Sequence, residues 1–96
     1  MSRIRLTIRK VVRAYTNKLG ASQDNSGDHI YFYLDFQGSE YTVGKLSRSW
    51  RGSLNDTQVL MIASRLRLQK REFERWVSCD IDSPEMLQIW QDRRQA

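Results

Sequence analysis

The chain predicts an α+β fold, an antiparallel sheet with helices on one face. Three observations carry this. Apolar residues recur at helical spacing over residues 7–19. Over residues 28–36 they switch to strict alternation, followed by a glycine turn and a second short alternating run. After Ser53 the helical spacing returns and holds almost to the end. Strands joined by a hairpin are antiparallel, and such a sheet can bury one face under helices while the other meets water.

In the stretch TIRKVVRAYTNKL, Ile8, Val11, Val12, Tyr15 and Leu19 form one stripe, and the cations fall mainly off it. Thr7 is placed to cap this helix and Gly20 to end it. ASQDNSGD is polar and turn-rich and reads as a loop. Strand side chains change face at every step. Ile30, Phe32, Leu34 and Phe36 therefore define a core face, and His29, Tyr31, Tyr33 and Asp35 the opposite one. Gly38 marks the hairpin turn, and Glu40 to Val43 is the returning strand. GKLSRSWRGS, residues 44–53, reads as mostly irregular, with room for a short third strand around Leu46. A second helix is expected from about Asn55 to Arg67, with Ser53 and Asp56 at capping-box spacing and Val59, Ile62, Ala63 and Leu66 as its buried stripe. A short helix follows, anchored by Leu68, Phe73, Trp76 and Val77. The last helix is capped by Ser83, has Pro84 in its first turn, and presents Leu87 and Trp90 on its apolar side.

Composition narrows the function. At 96 residues one domain, 1–96, is expected. Lys and Arg number 16 against 11 Asp and Glu, a net charge of +5. A small basic domain favours polyanionic partners, nucleic acid first. Most of the cations are arginines, whose fork matches phosphate. The N-terminal stretch MSRIRLTIRK has no continuous apolar core, because Arg3, Arg5 and Arg9 interrupt it, so no signal peptide is expected. No apolar run approaches the roughly 20 residues that span a bilayer. A single cysteine, Cys79, excludes an internal disulfide and suits the cytoplasm. With one cysteine and one histidine, and no carboxylate cluster, no metal and no cofactor is expected.

That single histidine opens the first strand on the face away from the core, in a row with Tyr31 and Tyr33. Exposed aromatic rows on sheets serve as stacking platforms for RNA bases. They also arise as cross-strand packing, and the sequence leaves both readings open. An imidazole, with an unperturbed pKa of about 6.5, can take a proton from a ribose 2′-OH or give one to the leaving 5′-oxygen. Arginines beside it can offset the charge that grows on the phosphate.

Taken in order, Gly27-Asp28-His29, Tyr41-Thr42-Val43, Gly52-Ser53-Leu54 and Glu72-Phe73 give residues 7–77 a pattern that resembles the HicA toxins of bacterial and archaeal toxin–antitoxin pairs. The resemblance implies a double-stranded-RNA-binding-like α-β-β-(β)-α fold. It implies ribosome-independent cleavage of mRNA, a HicB-like antitoxin as protein partner, and a catalytic role for His29. The chain departs from the family in carrying Gly44 where proline usually follows the Thr-Val strand, in a longer segment from Gly52 to Phe73, and in an added C-terminal helical segment over 80–96.

The sequence thus nominates His29 for proton transfer and Lys45, Arg48 and Arg51 for phosphate binding. Trp50 is a base-stacking candidate that can equally tuck into the core, and Tyr31 and Tyr33 form the platform. Ser53, with the first amides of the second helix, is a further phosphate seat. Two other functions fit the same composition: a non-catalytic RNA-binding module, and a basic protein-interaction domain that docks an acidic partner.

Overall fold

The computed structural model describes residues 6–94 and has an α+β architecture. Helix α1 (Ile8–Arg13) passes into a π-helical turn (Ala14–Lys18). Strands β1 (Ser22–Asp24), β2 (His29–Phe36) and β3 (Ser39–Ser47) follow, then helices α2 (Asp56–Arg65), α3 (Lys70–Val77) and α4 (Ser83–Arg94). The strands form one antiparallel sheet in the order β1-β2-β3. Arg3 and Arg5 lie outside the described residues.

The first helical segment is not one regular helix. Thr7 caps it as expected, its hydroxyl accepting from the Lys10 amide. At Thr16, however, the side-chain hydroxyl donates to the Val12 carbonyl, 2.9 Å away, and competes with the helical amide for that acceptor. The turn widens: the Leu19 amide reaches back to Ala14 O and the Ala21 amide to Tyr15 O. The wide turn is stitched to the far end of the chain. Lys18 donates from Nζ to the Trp76 carbonyl, and its own carbonyl accepts from the Ser83 hydroxyl, which in turn accepts from Trp76 Nε1.

The turn aims Tyr15 into the centre of the core. Its ring stacks on Phe32 at 4.5 Å between centroids and meets Trp76 edge-on at 5.4 Å. Its hydroxyl donates to the Val43 carbonyl at 2.8 Å, and burial pushes the phenol far above its ordinary range. Opposite the ring lies Gly44. A Cβ there would stand 2.6 Å from Tyr15 Cζ, so glycine occupies this position because the tyrosine ring takes up the side chain's space. The β2–β3 pairing shifts register between Phe32 and Tyr33, beside that contact.

Two sheet expectations are corrected. The stretch read as a loop after Gly20 contains β1, short and polar, paired with β2 from Ser22↔Tyr33 to Asp24↔Tyr31. No alternating apolar pattern marks it, because it is an edge strand with a largely exposed surface. The segment around Leu46, read as irregular with a separate short strand, continues β3 without a break to Ser47. The hairpin itself is as expected: Gln37 and Gly38 both have positive φ, the geometry of a two-residue turn matched to strand twist.

Three cap readings change. Asn55, not Ser53, caps α2, in a reciprocal pair with Gln58. The helix stops at Arg65, because Arg67 takes a left-handed conformation and the Leu68 amide closes onto Ala63 O. At α4 the Asp82 carboxylate accepts from the Glu85 amide, while Ser83 is spent on Lys18 and Trp76.

The core is one cluster. It runs from Leu6 and Val11 through Phe32, Val43 and Leu46 to α2, α3 and α4. The α4 helix closes its far end: Trp90 meets Phe36 and Tyr41 edge-on at 5.4 and 5.1 Å, and Met86 is buried beside it. Arg93 fixes that end of α4, pairing with both carboxylate oxygens of Glu72 at 2.5 and 2.8 Å and donating to Arg67 O.

A candidate nucleic-acid cleft beside His29

The core-face prediction for β2 holds: Phe32 is fully buried, and Ile30, Leu34 and Phe36 pack against the core. His29, Tyr31 and Tyr33 are therefore left in a row on the open face, half-buried. His29 and Tyr31 have ring centroids 6.1 Å apart, and Tyr31 and Tyr33 lie nearly parallel at 6.2 Å. Across the strand pair, His29 faces Ser47 and Tyr31 faces Lys45. The Lys45 ammonium sits 5.8 Å from the centre of the Tyr31 ring, within cation–π range.

His29 opens onto a cleft of about 280 Å³ between the β3 edge and α2. Lys45, Ser47 and Trp50 line it from the sheet side, and Met61, Ser64 and Arg65 from α2. Its lining carries two cations and no carboxylate. Among the described residues neither Lys45 nor Arg65 is in an ion pair, so both charges are available to a ligand.

Three of the nominated residues, His29, Lys45 and Trp50, come together here. Tyr31 and Tyr33 extend the same face away from the cleft mouth. The other three stand elsewhere. Arg48 donates from Nη1 to the carbonyls of Asn25 (2.8 Å) and Gly27 (3.1 Å), and its own amide donates to Asp28 O. It pins the loop that delivers His29 and is a positioning residue, not a cleft cation. Asp24 helps fold the same loop: its carboxylate accepts from the Ser26 amide, and hydrogen bonding from the Ser26 side chain, then from that amide, draws its pKa down. Arg51 is exposed and reaches only the Arg48 carbonyl, at 3.5 Å. Ser53 pairs with Thr7 in an isolated bridge, ahead of the true α2 cap, so it does not build a phosphate seat with the first α2 amides.

The residues missed from sequence, Met61, Ser64 and Arg65, share one face of α2, since residues three and four apart are helix neighbours. One signal was present. Leu60 and Met61 fall off the Val59-Ile62-Ala63-Leu66 stripe, and both are more than half exposed, at 54 and 57%.

Arginine, lysine, imidazole and indole around one cleft can hold a phosphate, shuttle a proton and stack on a base. No helix among the described residues is long and apolar enough to cross a membrane. Compared with models of known protein families, with curated proteins and with solved structures, the chain matches none.

Proposed function

We propose that the chain is an RNA-binding toxin of HicA type, an endoribonuclease that cleaves mRNA with His29 as its proton-transfer group and is held in check by a HicB-like antitoxin. The observation that carries this is the position of His29: an accessible imidazole at a cleft whose other charged groups are both cations. The element order α-β-β-β-α, with the sheet in sequential order, supports the double-stranded-RNA-binding-like topology that the resemblance implies.

In the proposed reaction the ribose 2′-oxygen attacks the adjacent phosphorus, the bond to the 5′-oxygen breaks, and a 2′,3′-cyclic phosphate forms. The 2′-OH loses one proton and the leaving 5′-oxygen gains one. His29 performs one of these transfers and water the other. Lys45 and Arg65 offset the negative charge on the phosphoryl oxygens as the transition state forms. Arg48 acts indirectly, holding residues 25–28 so that the imidazole stands at the cleft mouth.

The test is RNA cleavage by the wild-type chain and by His29→Ala, with the 2′,3′-cyclic end of the product identified. Cleavage by the wild type alone, falling at least 100-fold in the variant, is expected from the usual worth of a general acid or base. Equal cleavage by both, or none by either, refutes the nuclease and leaves a non-catalytic RNA-binding module. Growth arrest on expression of the wild type, absent with His29→Ala, is the cellular counterpart.

A further inference from the structure

We infer that the cleft seats one unpaired ribonucleotide, its base against Trp50 and Met61 and its phosphate between Lys45 and Arg65. This deepens the reading of the chain as an RNA-cleaving protein and rests on it.

The argument is the pairing of two kinds of surface in one cleft. A ligand recognised only through its backbone needs cations and has no use for an apolar wall. This cleft has both: an indole, a thioether and two unpaired cations around about 280 Å³. Trp50 packs one side against the core and is half-buried, which leaves it the most accessible of the three tryptophans, because Trp76 and Trp90 are buried outright. Met61 turns away from the core on α2, so its thioether is free to meet a flat apolar surface. A nucleobase with its own phosphate has the matching composition, one π-face and one anionic group linked by a ribose, and His29 stands at the same cleft. In a duplex the base faces are stacked inside and only phosphates, 2′-hydroxyls and base edges meet the protein, so a paired nucleotide cannot present its π-face to Trp50 without leaving the stack. The cleft therefore selects single strands, loops or bulges, even on a sheet-and-helix frame of the kind that often reads duplex shape.

The experiment uses the full chain carrying His29→Ala, which prevents cleavage, and follows tryptophan fluorescence. The probes are a short single-stranded RNA and the blunt duplex it makes with its complement. The single strand should quench the emission and the duplex should not. The quenchable signal should vanish in Trp50→Phe, since the remaining tryptophans are buried. Arg65→Gln should lower the salt dependence of single-strand binding by about 0.7 in log–log slope, the share of one phosphate contact. Met61→Ala, which removes the apolar wall without adding charge beside Arg65, should weaken single-strand binding about two- to tenfold, the worth of a thioether–ring contact, with the melting temperature confirming that the variant is folded. Duplex binding as tight as single-strand binding, or single-strand binding with Trp50 unquenched and the Arg65→Gln slope unchanged, overturns the inference while RNA binding stands. Failure of both RNAs to bind overturns the functional reading along with it.

Discussion

Replacing Gly44 by alanine adds one methyl group at the most crowded point of the sheet. That methyl would stand 2.6 Å from Tyr15 Cζ and 3.0 Å from both Phe32 Cδ2 and Tyr15 Cε1. Neither ring has room to retreat. Tyr15 is stacked on Phe32, edge-on to Trp76 and tied to Val43 by its hydroxyl, and both rings are fully buried. Overpacking of this kind costs about 1–3 kcal/mol. Alanine stiffens the unfolded chain and returns about 0.4–1 kcal/mol. If the ring is forced off the Val43 carbonyl, the unpaired buried groups add about 1–3 kcal/mol. The net expectation is a loss of about 2 kcal/mol, which lowers the melting temperature of a domain this size by about 10 °C. Urea and thermal unfolding followed by circular dichroism measure it. Because the added methyl meets Tyr15 Cζ and Cε1, Gly44→Ala combined with Tyr15→Leu, which lacks those ring carbons, should cost less than the two single changes added together. A Gly44→Ala protein as stable as wild type, or a strictly additive pair, would refute the claim that the Tyr15 ring is what demands glycine.

Other parts of the structure make further expectations. Glu72→Gln should cost about 1–2 kcal/mol at neutral pH, since it breaks a two-pronged pair with Arg93. The Arg93 hydrogen bonds hold the Glu72 carboxyl below its ordinary value of 4.5, so this stabilisation is present above that value and is lost as pH falls through the lower folded one. Melting curves of wild type and Glu72→Gln should therefore converge in acid; a constant gap from pH 7 downward would contradict the pairing. Arg48→Ala should speed amide exchange in residues 25–28 and slow RNA cleavage, yet leave the salt dependence of RNA binding unchanged, because its guanidinium serves carbonyls rather than phosphate. Trp90→Ala should destabilise by about 3 kcal/mol or more, as large-to-small core changes do, and chemical denaturation will show whether α4 contributes at that scale to the packing of Phe36 and Tyr41.

What the sequence made legible follows from where local pattern and burial agree. The alternation in β2 identified its core face and put His29, Tyr31 and Tyr33 on the other, because a strand between two neighbours has one dry side and one wetter side. The buried stripe of α2 was equally plain. The edge strand β1 was not, since three polar residues paired on one side only leave no apolar signature. Gly44 looked like the end of a strand; only the presence of Tyr15, 29 positions earlier in the chain, makes it a strand interior. At the site, position along the chain nominated Arg48 and Arg51 because they are cations of the basic loop beside the sheet. Contacts far apart in sequence then assigned Arg48 to the 25–28 loop and brought Arg65 across from α2 to Lys45. Nothing local distinguishes an arginine that will bind a carbonyl from one that will face a cleft.

The widened turn at Ala14–Lys18 makes the spacing between Thr7 and Gly20 a matter of whole residues. Excising Asn17, an exposed position, would shorten the five-residue reach from the Leu19 amide to the Ala14 carbonyl to the four of an ordinary helix, so the residues after the excision would keep their places. Lys18 would stay beside Trp76 and Ser83, and Leu19 against the core it packs on. The widened turn is thus the one place in this stretch that can absorb the loss of a residue, whereas the same loss from the regular helix Ile8–Arg13 would swing every later side chain by about 100° about the axis.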